Sequence, residues 1–306
     1  MEVRNLFFKK VPRRKVFGKS EKLFSKRFSE REVLRKGVFR GKVFPLNRKS
    51  FWRFGTFFKK VLRREIFGDE VGDMENQLRR EIVEVCHRMY RRGWICATEG
   101  NVSVRLSGGR ILITPSGVCK GEVSAAELIC LDASGEKISG WGEPSSETNL
   151  HLEVYRLRED VRAVIHAHPP TAIAFTIAGR SLAGCVIPEI VMTMGSIPTA
   201  SYSTPGTGEA ALVIGEHIQD FDAILLDRHG SLTVGSTLQQ AYFHLERLEH
   251  AAKITLMAHQ LGRVQTLPPA EVEKIRHLRE RFGIRVGGSS SGVVGCNGCG
   301  ICPESS

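Results

Sequence analysis

The uneven distribution of charge constrains this chain most, because it limits where an ordinary globular domain can lie. Residues 1–73 contain 22 Lys or Arg, 8 Asp or Glu and 12 of the 16 Phe, whereas residues 74–306 contain 22 basic and 25 acidic side chains. The charge balance is therefore +14 in the first part and −3 in the second. Only the second balance is typical of a globular protein. We expect one domain over residues 74–286, between a basic, Phe-rich extension at 1–73 and a flexible tail at 287–306.

An internal repeat marks the basic extension. The segment FFKKVPRRKVFG (7–18) returns as FFKKVLRREIFG (57–68), with 9 of 12 positions identical. Gly, Pro and basic residues interrupt the apolar pairs, so neither copy has helical or alternating periodicity. One interpretation is an arm that binds nucleic acid or anionic lipid. We favour a disordered extension without a dedicated role, or a misplaced start, because Met74 opens a clean amphipathic helix. Outside this extension we expect no nucleic-acid partner.

Strand and helix patterns follow one another after Met74. Helices are expected at 74–93, 145–158, 171–179, 237–261 and 270–282, and a short one at SAAEL, where Ser124 and Glu127 form a capping box. Strands are expected in NVSVRL, RILIT, ICLD, VRAVIHAH, DAILLDRHG and SLTVG, partly as hairpins and partly between helices. This order predicts a three-layer α/β/α sandwich with a mixed, mainly antiparallel central sheet. No glycine-rich phosphate-binding fingerprint follows a strand, which argues against the common nucleotide-binding classes.

Apolar segments and cysteines indicate the expected location of the protein. No run of 18 apolar residues could span a membrane, and the first 30 residues lack the apolar segment of a secretory signal. The five cysteines before residue 200 are scattered singly among apolar residues, which suits buried thiols in a reducing cytoplasm. We therefore predict a cytoplasmic protein with no membrane partner. Cys296, Cys299 and Cys302 form a C-x-x-C-x-x-C cluster in the tail that could hold zinc or part of an iron–sulfur cluster, but no fourth ligand is obvious nearby.

Two histidines lie one residue apart in the segment AVIHAHPPTA. Side chains at i and i+2 of a strand point to the same face, so His166 and His168 project together, and a Pro-Pro pair ends the strand beside them. His229 ends the apolar strand of ILLDRHG and precedes Gly230, where the chain can turn tightly. Three imidazoles with an open fourth position match a catalytic zinc site. The alternative is that all three are polar strand ends that face water.

The segment PSSETNLH adds hydroxyl and acidic side chains at an expected helix start. Ser145 and Ser146 lie where free N–H groups and the helix dipole attract anions such as phosphate. Glu147, in the same turn, is either a helix-stabilising charge or a general acid/base beside the histidines. His151 is expected to pack rather than to ligate. The remaining helical histidines are expected to be solvated: His87, His244, His250, His259 and His277.

Taken together, these segments resemble the class II aldolase/adducin family. The matching pieces are EGNVSVR, LITPSG, PSSE, HAHPP and RHG, in that order and at family-like spacing within residues 74–286. The resemblance implies one zinc ion per subunit, held by His166, His168, His229 and Glu147. Glu147 then acts as the acid/base once substrate displaces it. The resemblance also implies that the substrate phosphate is bound by Asn101, Ser116, Gly117, Ser145 and Ser146. The implied assembly is a C4 homotetramer.

The reaction that the resemblance implies is the reversible cleavage of a small phosphorylated sugar. A ketose 1-phosphate such as L-fuculose 1-phosphate would give dihydroxyacetone phosphate and an aldehyde through a metal-stabilised enediolate. No lysine Schiff base is required, so Lys120 is expected to be a phosphate contact or a surface charge. Two departures leave the aldehyde open. VIPEIVMTMG carries Glu189 where fuculose-cleaving members have a tyrosine nearby, and a Gly- and Cys-rich tail replaces a tyrosine-bearing one.

Three alternatives share the same fold. A methylthioribulose-1-phosphate dehydratase has a glutamate in this segment but typically an Ala near the position of Ser146. A sugar-phosphate 4-epimerase normally has an Asp at the position of Glu147. A non-catalytic, adducin-like scaffold would have no reason to keep three histidines and a glutamate together. The residues favour the aldolase among the four.

Overall fold

The computed structural model describes residues 72–287, together with the backbone of two short antiparallel strands, β1 (Val38–Phe39) and β2 (Lys42–Val43). The chain divides into two compact units, residues 1–72 and 73–306. The repeat at 7–18 and 57–68 and the tail cysteines Cys296, Cys299 and Cys302 lie outside the described residues. The roles considered for them therefore stay predictions.

A single large sheet organises residues 72–287. In chain order the elements are α1 (72–91), β3 (Asn101–Arg105), β4 (Ile111–Ile113), β5 (Ile129–Leu131), β6 (Lys137–Ser139), α2 (Thr148–Leu157), β7 (Ala163–Ala167), α3 (Pro170–Ile177), α4 (Pro188–Met194), β8 (Thr199–Ala200), α5 (Glu209–Ile218), β9 (Ala223–Leu226), β10 (Gly230–Gly235), α6 (Leu238–Leu261) and α7 (Pro269–Arg281). The sheet order is β6-β5-β4-β3-β7-β10-β9-β8, and every neighbouring pair is antiparallel except β8 and β9. None of the helices in this part of the chain is both long and apolar enough to cross a membrane.

Helices cover both faces of the sheet because successive strand residues point to opposite sides. In β3, Val102 and Val104 belong to an apolar cluster with α1 and the first half of α6. Ser103, between them, faces α2, where its hydroxyl group bonds to His151. A second apolar cluster joins α2 and α5 to the same face as Ser103. The expected three-layer α/β/α sandwich with a mixed, mainly antiparallel sheet is confirmed.

Local structure differs from the sequence-based expectations in several elements. SAAEL forms a turn rather than a helix: the Ser124 amide and hydroxyl both donate to Glu127 Oε2, at 2.8 and 2.7 Å, but the chain then enters β5 directly. The helix expected from residue 145 begins at Thr148, with Glu147 at its N-cap position. The elements α4, α5, β6 and β8 were not predicted. β6 and β8 have only three and two residues and α4 has seven, whereas α5, with ten, is as long as the predicted α2.

Two side chains expected in contact with solvent are buried. His244 is 2% exposed, and its Nδ1 donates to the carbonyl of Val234 at 2.8 Å, because α6 lies directly on β10. Lys120 is 1% exposed, and its Nζ donates to the carbonyls of Thr98 and Val118 at 2.9 and 2.8 Å. Burial lowers the pKa of this ammonium group. Lys120 is therefore an internal tether between two loop segments, and the surface-charge expectation was wrong.

Candidate metal centre and acid/base site

Antiparallel pairing of β7 with β10 brings the three predicted histidines to one edge of the sheet. His166 lies in β7, opposite Leu232 of β10, and His168 follows just after the strand. His229 lies in the turn between β9 and β10, so it reaches the same end of β7. Gly230 permits this approach: a Cβ there would lie 2.5 Å from the carbonyl oxygen of Ala167 and within about 3 Å of both neighbouring imidazoles.

The imidazole rings converge as a metal site requires. One ligand nitrogen from each of His166, His168 and His229 lies within 4.8 Å of the other two. The ring centroids are 4.7 to 5.1 Å apart, and Nε2 of His166 lies 2.9 Å from Nε2 of His168. Nitrogens bound to one zinc ion at about 2.0–2.1 Å must come this close. The structure therefore brings together the three side chains that the sequence singled out.

Hydrogen bonds set which ring nitrogen is free on two of these histidines. His166 Nδ1 donates to the carbonyl of Ser231 at 3.0 Å, and His168 Nδ1 donates to Glu99 Oε2 at 3.0 Å. Each Nε2 then presents a lone pair toward the site, as a metal ligand does. Burial, with the neighbouring His168 and His229, holds the pKa of His166 well below its ordinary value. Burial also lowers the pKa of His229. Both therefore favour the neutral form that can ligate.

Glu147 completes the convergence from the start of α2. Its Oε2 lies 3.3 Å from His166 Nε2, and its Oε1 lies 3.4 Å from His229 Nε2. Oε1 is buried and has no hydrogen-bond partner among the described residues. This orphaned carboxylate oxygen, beside the His229 imidazole, lacks a positive partner, which is costly in a buried site. A divalent cation would satisfy all four groups, and three imidazoles with a carboxylate are a donor set that such ions accept.

Four of the five predicted phosphate-binding residues lie on two adjoining turns. A bridge between Pro115 and Pro144, with the Ser116 amide donating to the carbonyl of Glu143 at 2.9 Å, joins the segment after β4 to the segment before α2. Ser116, Gly117 and Ser146 are exposed there, whereas Ser145 is buried. The Glu147 amide donates to the Ser145 hydroxyl oxygen at 3.3 Å.

Asn101 lies opposite His166 on β3, next to these turns. Its Nδ2 donates to Glu147 Oε2 at 2.8 Å. The structure therefore brings Asn101 to the metal centre through Glu147. That Asn101 and the serines of the two turns bind a phosphate stays a prediction.

Sequence reasoning missed a group of polar side chains beneath Glu147. His151, Ser103 and Tyr155 are buried and hydrogen-bonded to one another and to Asn101. The signal was present: Asn101 and Ser103 alternate on one face of a strand, and His151 and Tyr155 follow Glu147 at helical spacing of four residues. Glu99, the partner of His168, was also missed. Its sequence signal was its place at the start of EGNVSVR, one of the segments that carry the family resemblance.

Comparison with known proteins identifies the family to which the chain belongs. A model of the class II aldolase and adducin N-terminal domain matches residues 80–256. A 3-oxo-tetronate 4-phosphate decarboxylase of Escherichia coli is 34% identical over 185 residues, which is 59% of this chain and 87% of the relative. An L-fuculose phosphate aldolase of Methanococcus maripaludis is 33% identical over 181 residues, 59% of this chain and 97% of the relative. A solved structure of an L-fuculose 1-phosphate aldolase matches with a TM-score of 0.63 and 29% identity, covering 68% of this chain and 96% of the other. The chain therefore belongs to the class II aldolase and adducin family and is an enzyme of its lyase branch.

Proposed function

We propose that the protein uses one zinc ion per subunit to cleave a ketose 1-phosphate, similar to L-fuculose 1-phosphate, into dihydroxyacetone phosphate and an aldehyde. The observation that carries this proposal is the convergence of His166, His168 and His229 on the carboxylate of Glu147. When bound, the ion would supply Lewis-acid stabilisation of the enediolate that carbon–carbon cleavage leaves, worth several kcal/mol. The similarity to aldolases over most of their length supports this reaction class.

Glu147 is the proposed acid/base. Its carboxylate lies at the mouth of the histidine cluster, with Oε2 held by Asn101 and Oε1 without a hydrogen-bond donor among residues 72–287. Proton transfer by a positioned carboxyl group typically contributes about 10²–10⁴ in rate. In the cleavage direction the Glu147 carboxylate takes the proton from the hydroxyl group that becomes the aldehyde and delivers a proton to the enediolate carbon, which gives dihydroxyacetone phosphate. In the reverse direction it removes that proton.

The two exposed turns are the proposed phosphate site. The hydroxyl groups of Ser116 and Ser146 and the amide of Gly117 offer donors next to the start of α2, and Ser145 and Asn101 lie beside them. Free N–H groups at a helix N-terminus favour an anion. Anchoring the phosphate there would hold the reacting oxygens of the sugar near the metal. The substrate would then be bound in the orientation that the reaction requires, which lowers the entropic cost of reaching the transition state.

A second candidate reaction is the decarboxylation of a 3-oxo-tetronate 4-phosphate. Loss of carbon dioxide from such a 3-oxo acid leaves its bonding electrons on the adjacent carbon, so it forms the same enediolate as aldol cleavage. Protonation by Glu147 then gives the same product, dihydroxyacetone phosphate. Two observations favour this candidate: the similarity to a relative of that name, and the absence of an evident tyrosine match around Glu189, since decarboxylation has no aldehyde to handle.

A substrate panel on zinc-loaded protein separates these reactions. L-fuculose 1-phosphate, other ketose 1-phosphates and 3-oxo-tetronate 4-phosphate would each be incubated with enzyme, while dihydroxyacetone phosphate, aldehyde and carbon dioxide are measured separately. Aldehyde together with dihydroxyacetone phosphate supports the aldolase, and carbon dioxide with dihydroxyacetone phosphate supports the decarboxylase. A dehydrated or epimerised product without dihydroxyacetone phosphate would replace both with a dehydratase or an epimerase. Absence of stoichiometric zinc and of every product would indicate a scaffold.

The remaining expectations belong to the same proposal. We propose a cytoplasmic C4 homotetramer whose catalytic domain is residues 74–286, with no nucleic-acid contact outside residues 1–73. Large exposed apolar side chains support an assembly: Trp141 is 83% exposed and Leu212 is 75% exposed. Sedimentation of the full chain and of a chain that starts at Met74 tests the tetramer and whether the domain of residues 74–286 forms it without the extension. A Met74 chain that is insoluble or inactive would assign a role to the extension.

A further inference from the structure

A buried line of hydrogen bonds runs from the interior to Glu147 Oε2, the oxygen that also lies 3.3 Å from His166 Nε2. Tyr155 Oη lies 2.8 Å from Ser103 Oγ, which lies 2.6 Å from His151 Nδ1. His151 Nε2 bonds to Asn101 Oδ1, and Asn101 Nδ2 lies 2.8 Å from Glu147 Oε2. Asn101, Ser103, His151 and Tyr155 are at most 6% exposed. Water therefore cannot readily replace any of these bonds.

Chemistry fixes the direction of each bond. The Glu147 carboxylate only accepts, so Asn101 must turn its NH₂ group toward Glu147 and its carbonyl oxygen toward His151. That oxygen also only accepts, so His151 must carry its proton on Nε2. Neutral imidazole then accepts at Nδ1, which requires the Ser103 hydroxyl to donate to it, and the Ser103 oxygen in turn accepts from Tyr155. Burial lowers the pKa of His151 to about 3, which keeps the ring neutral.

We propose that His151 is a positioning residue, which holds the Asn101 carboxamide in the one orientation that presents its NH₂ group to Glu147. The inference rests on the proposed role of Glu147 as acid/base. With the carboxamide reversed, Asn101 Oδ1 would face Glu147 Oε2, and two acceptors would repel where a hydrogen bond now exists. A phosphate beside Asn101 would likewise face the amide oxygen, which cannot donate a hydrogen bond to it. Ser103 and Tyr155 act one step further back, by holding His151 in the tautomer that donates from Nε2.

The placement of the line explains why a histidine suits this position. Asn101 and Ser103 point to the same face of β3, and α2 packs His151 and Tyr155 onto that face. An imidazole offers one donor and one acceptor on opposite sides of a rigid ring, so it bridges an amide oxygen and a hydroxyl group. The same helix carries Glu147 at its N-cap position. The element that supplies the acid/base thus also supplies the group that orients its partner.

Matched variants test the proposal in the full-length, zinc-loaded protein. His151→Leu removes both bonds and is expected to lower kcat about 10- to 100-fold, as loss of outer-shell partners typically does, with zinc content unchanged. His151→Gln keeps one donor and one acceptor and should recover part of that loss. His244→Leu makes the same change at another buried histidine, whose hydrogen bond goes to the backbone carbonyl of Val234 and not to Asn101, and its kcat should stay within twofold of wild type. A His151→Leu protein with wild-type kcat would overturn the proposal, as would an equal loss in His244→Leu.

A second measurement needs no substrate and no active variant. Solid-state ¹⁵N NMR of wild-type protein labelled at histidine reports the proton on each ring nitrogen, and the signals absent from His151→Gln belong to His151. The expected result at pH 7 is a protonated Nε2 and a bare Nδ1. A protonated Nδ1 would overturn the proposal even if every variant loses activity. If the wild-type protein cleaves none of the substrates, the proposed function fails while this measurement still decides how His151 orients Asn101.

Discussion

The candidate site joins two halves that the fold constructs in different ways. The metal half consists of His166 within a strand paired on both sides, and of His168 and His229 directly beside paired strands. The phosphate half consists of Ser116, Gly117 and Ser146 on exposed turns, joined by one isolated bridge. Strand pairing fixes ligand positions before anything binds, whereas exposed turns keep freedom that binding must remove. Changes in the metal half should therefore abolish function, and changes in the phosphate half should weaken it.

The largest expected effect is the loss of a ligand in the metal half. His166→Ala should remove stoichiometric zinc and lower the lyase rate by at least about 10³-fold, because several kcal/mol of Lewis-acid stabilisation disappears with the ion. Elemental analysis and a steady-state assay on the same sample measure both. His277→Ala, at an exposed histidine on α7, serves as the control. Full activity of His166→Ala without bound metal would remove the metal half from the mechanism.

The next effect separates metal binding from proton transfer. Glu147→Gln keeps the shape of the side chain but cannot act as a base, so kcat should fall about 10²–10⁴-fold. Zinc should remain bound, because the three imidazoles stay in place. The split is measured as zinc content against kcat on the best substrate. Loss of zinc in parallel with kcat would assign Glu147 to the metal half alone.

The two halves also differ in how far the sequence could predict them. The i, i+2 spacing of His166 and His168 is a local pattern that places both side chains on one face of a strand. The Gly after His229 indicates a close turn. The histidine cluster was therefore predictable. His244 was wrongly placed in solvent although it lies three residues after Ala241 and four before Leu248, on the apolar face of α6 that packs against β10. The helical spacing carried the signal, and only the polarity of the side chain argued against burial. Lys120 was misjudged for a different reason: its partners are the backbone carbonyls of Thr98 and Val118, in loop segments that only the fold brings together.

A smaller effect concerns the buried line behind Glu147. The pKa of His151 is about 3 in the folded protein and about 6.5 in an unfolded chain, so the unfolded state binds more protons between these values. The contribution of neutral His151 to the free energy of unfolding is therefore complete above pH 6.5, and it is lost as the pH falls toward 3. From pH 7 to pH 5 the wild type should therefore lose about 2 kcal/mol more stability than His151→Gln, which cannot titrate. Urea unfolding at both pH values measures the difference, and equal losses would contradict a buried neutral imidazole.

The smallest expected effect lies in the phosphate half. Ser116→Ala removes one exposed hydroxyl donor, and a single hydrogen bond contributes about 0.5–1.5 kcal/mol, so KM for a phosphorylated substrate should rise roughly 3- to 10-fold. The change in kcat should be small, since a phosphate contact is made equally in the ground state and in the transition state. Ser134→Ala, at an exposed hydroxyl in the turn before β6, provides the matched control. A fall in kcat as large as that of Glu147→Gln would show that this turn positions the acid/base as well as the phosphate. The two halves would then act as one unit, because the bridge from Pro115 to Pro144 ends only three residues before Glu147.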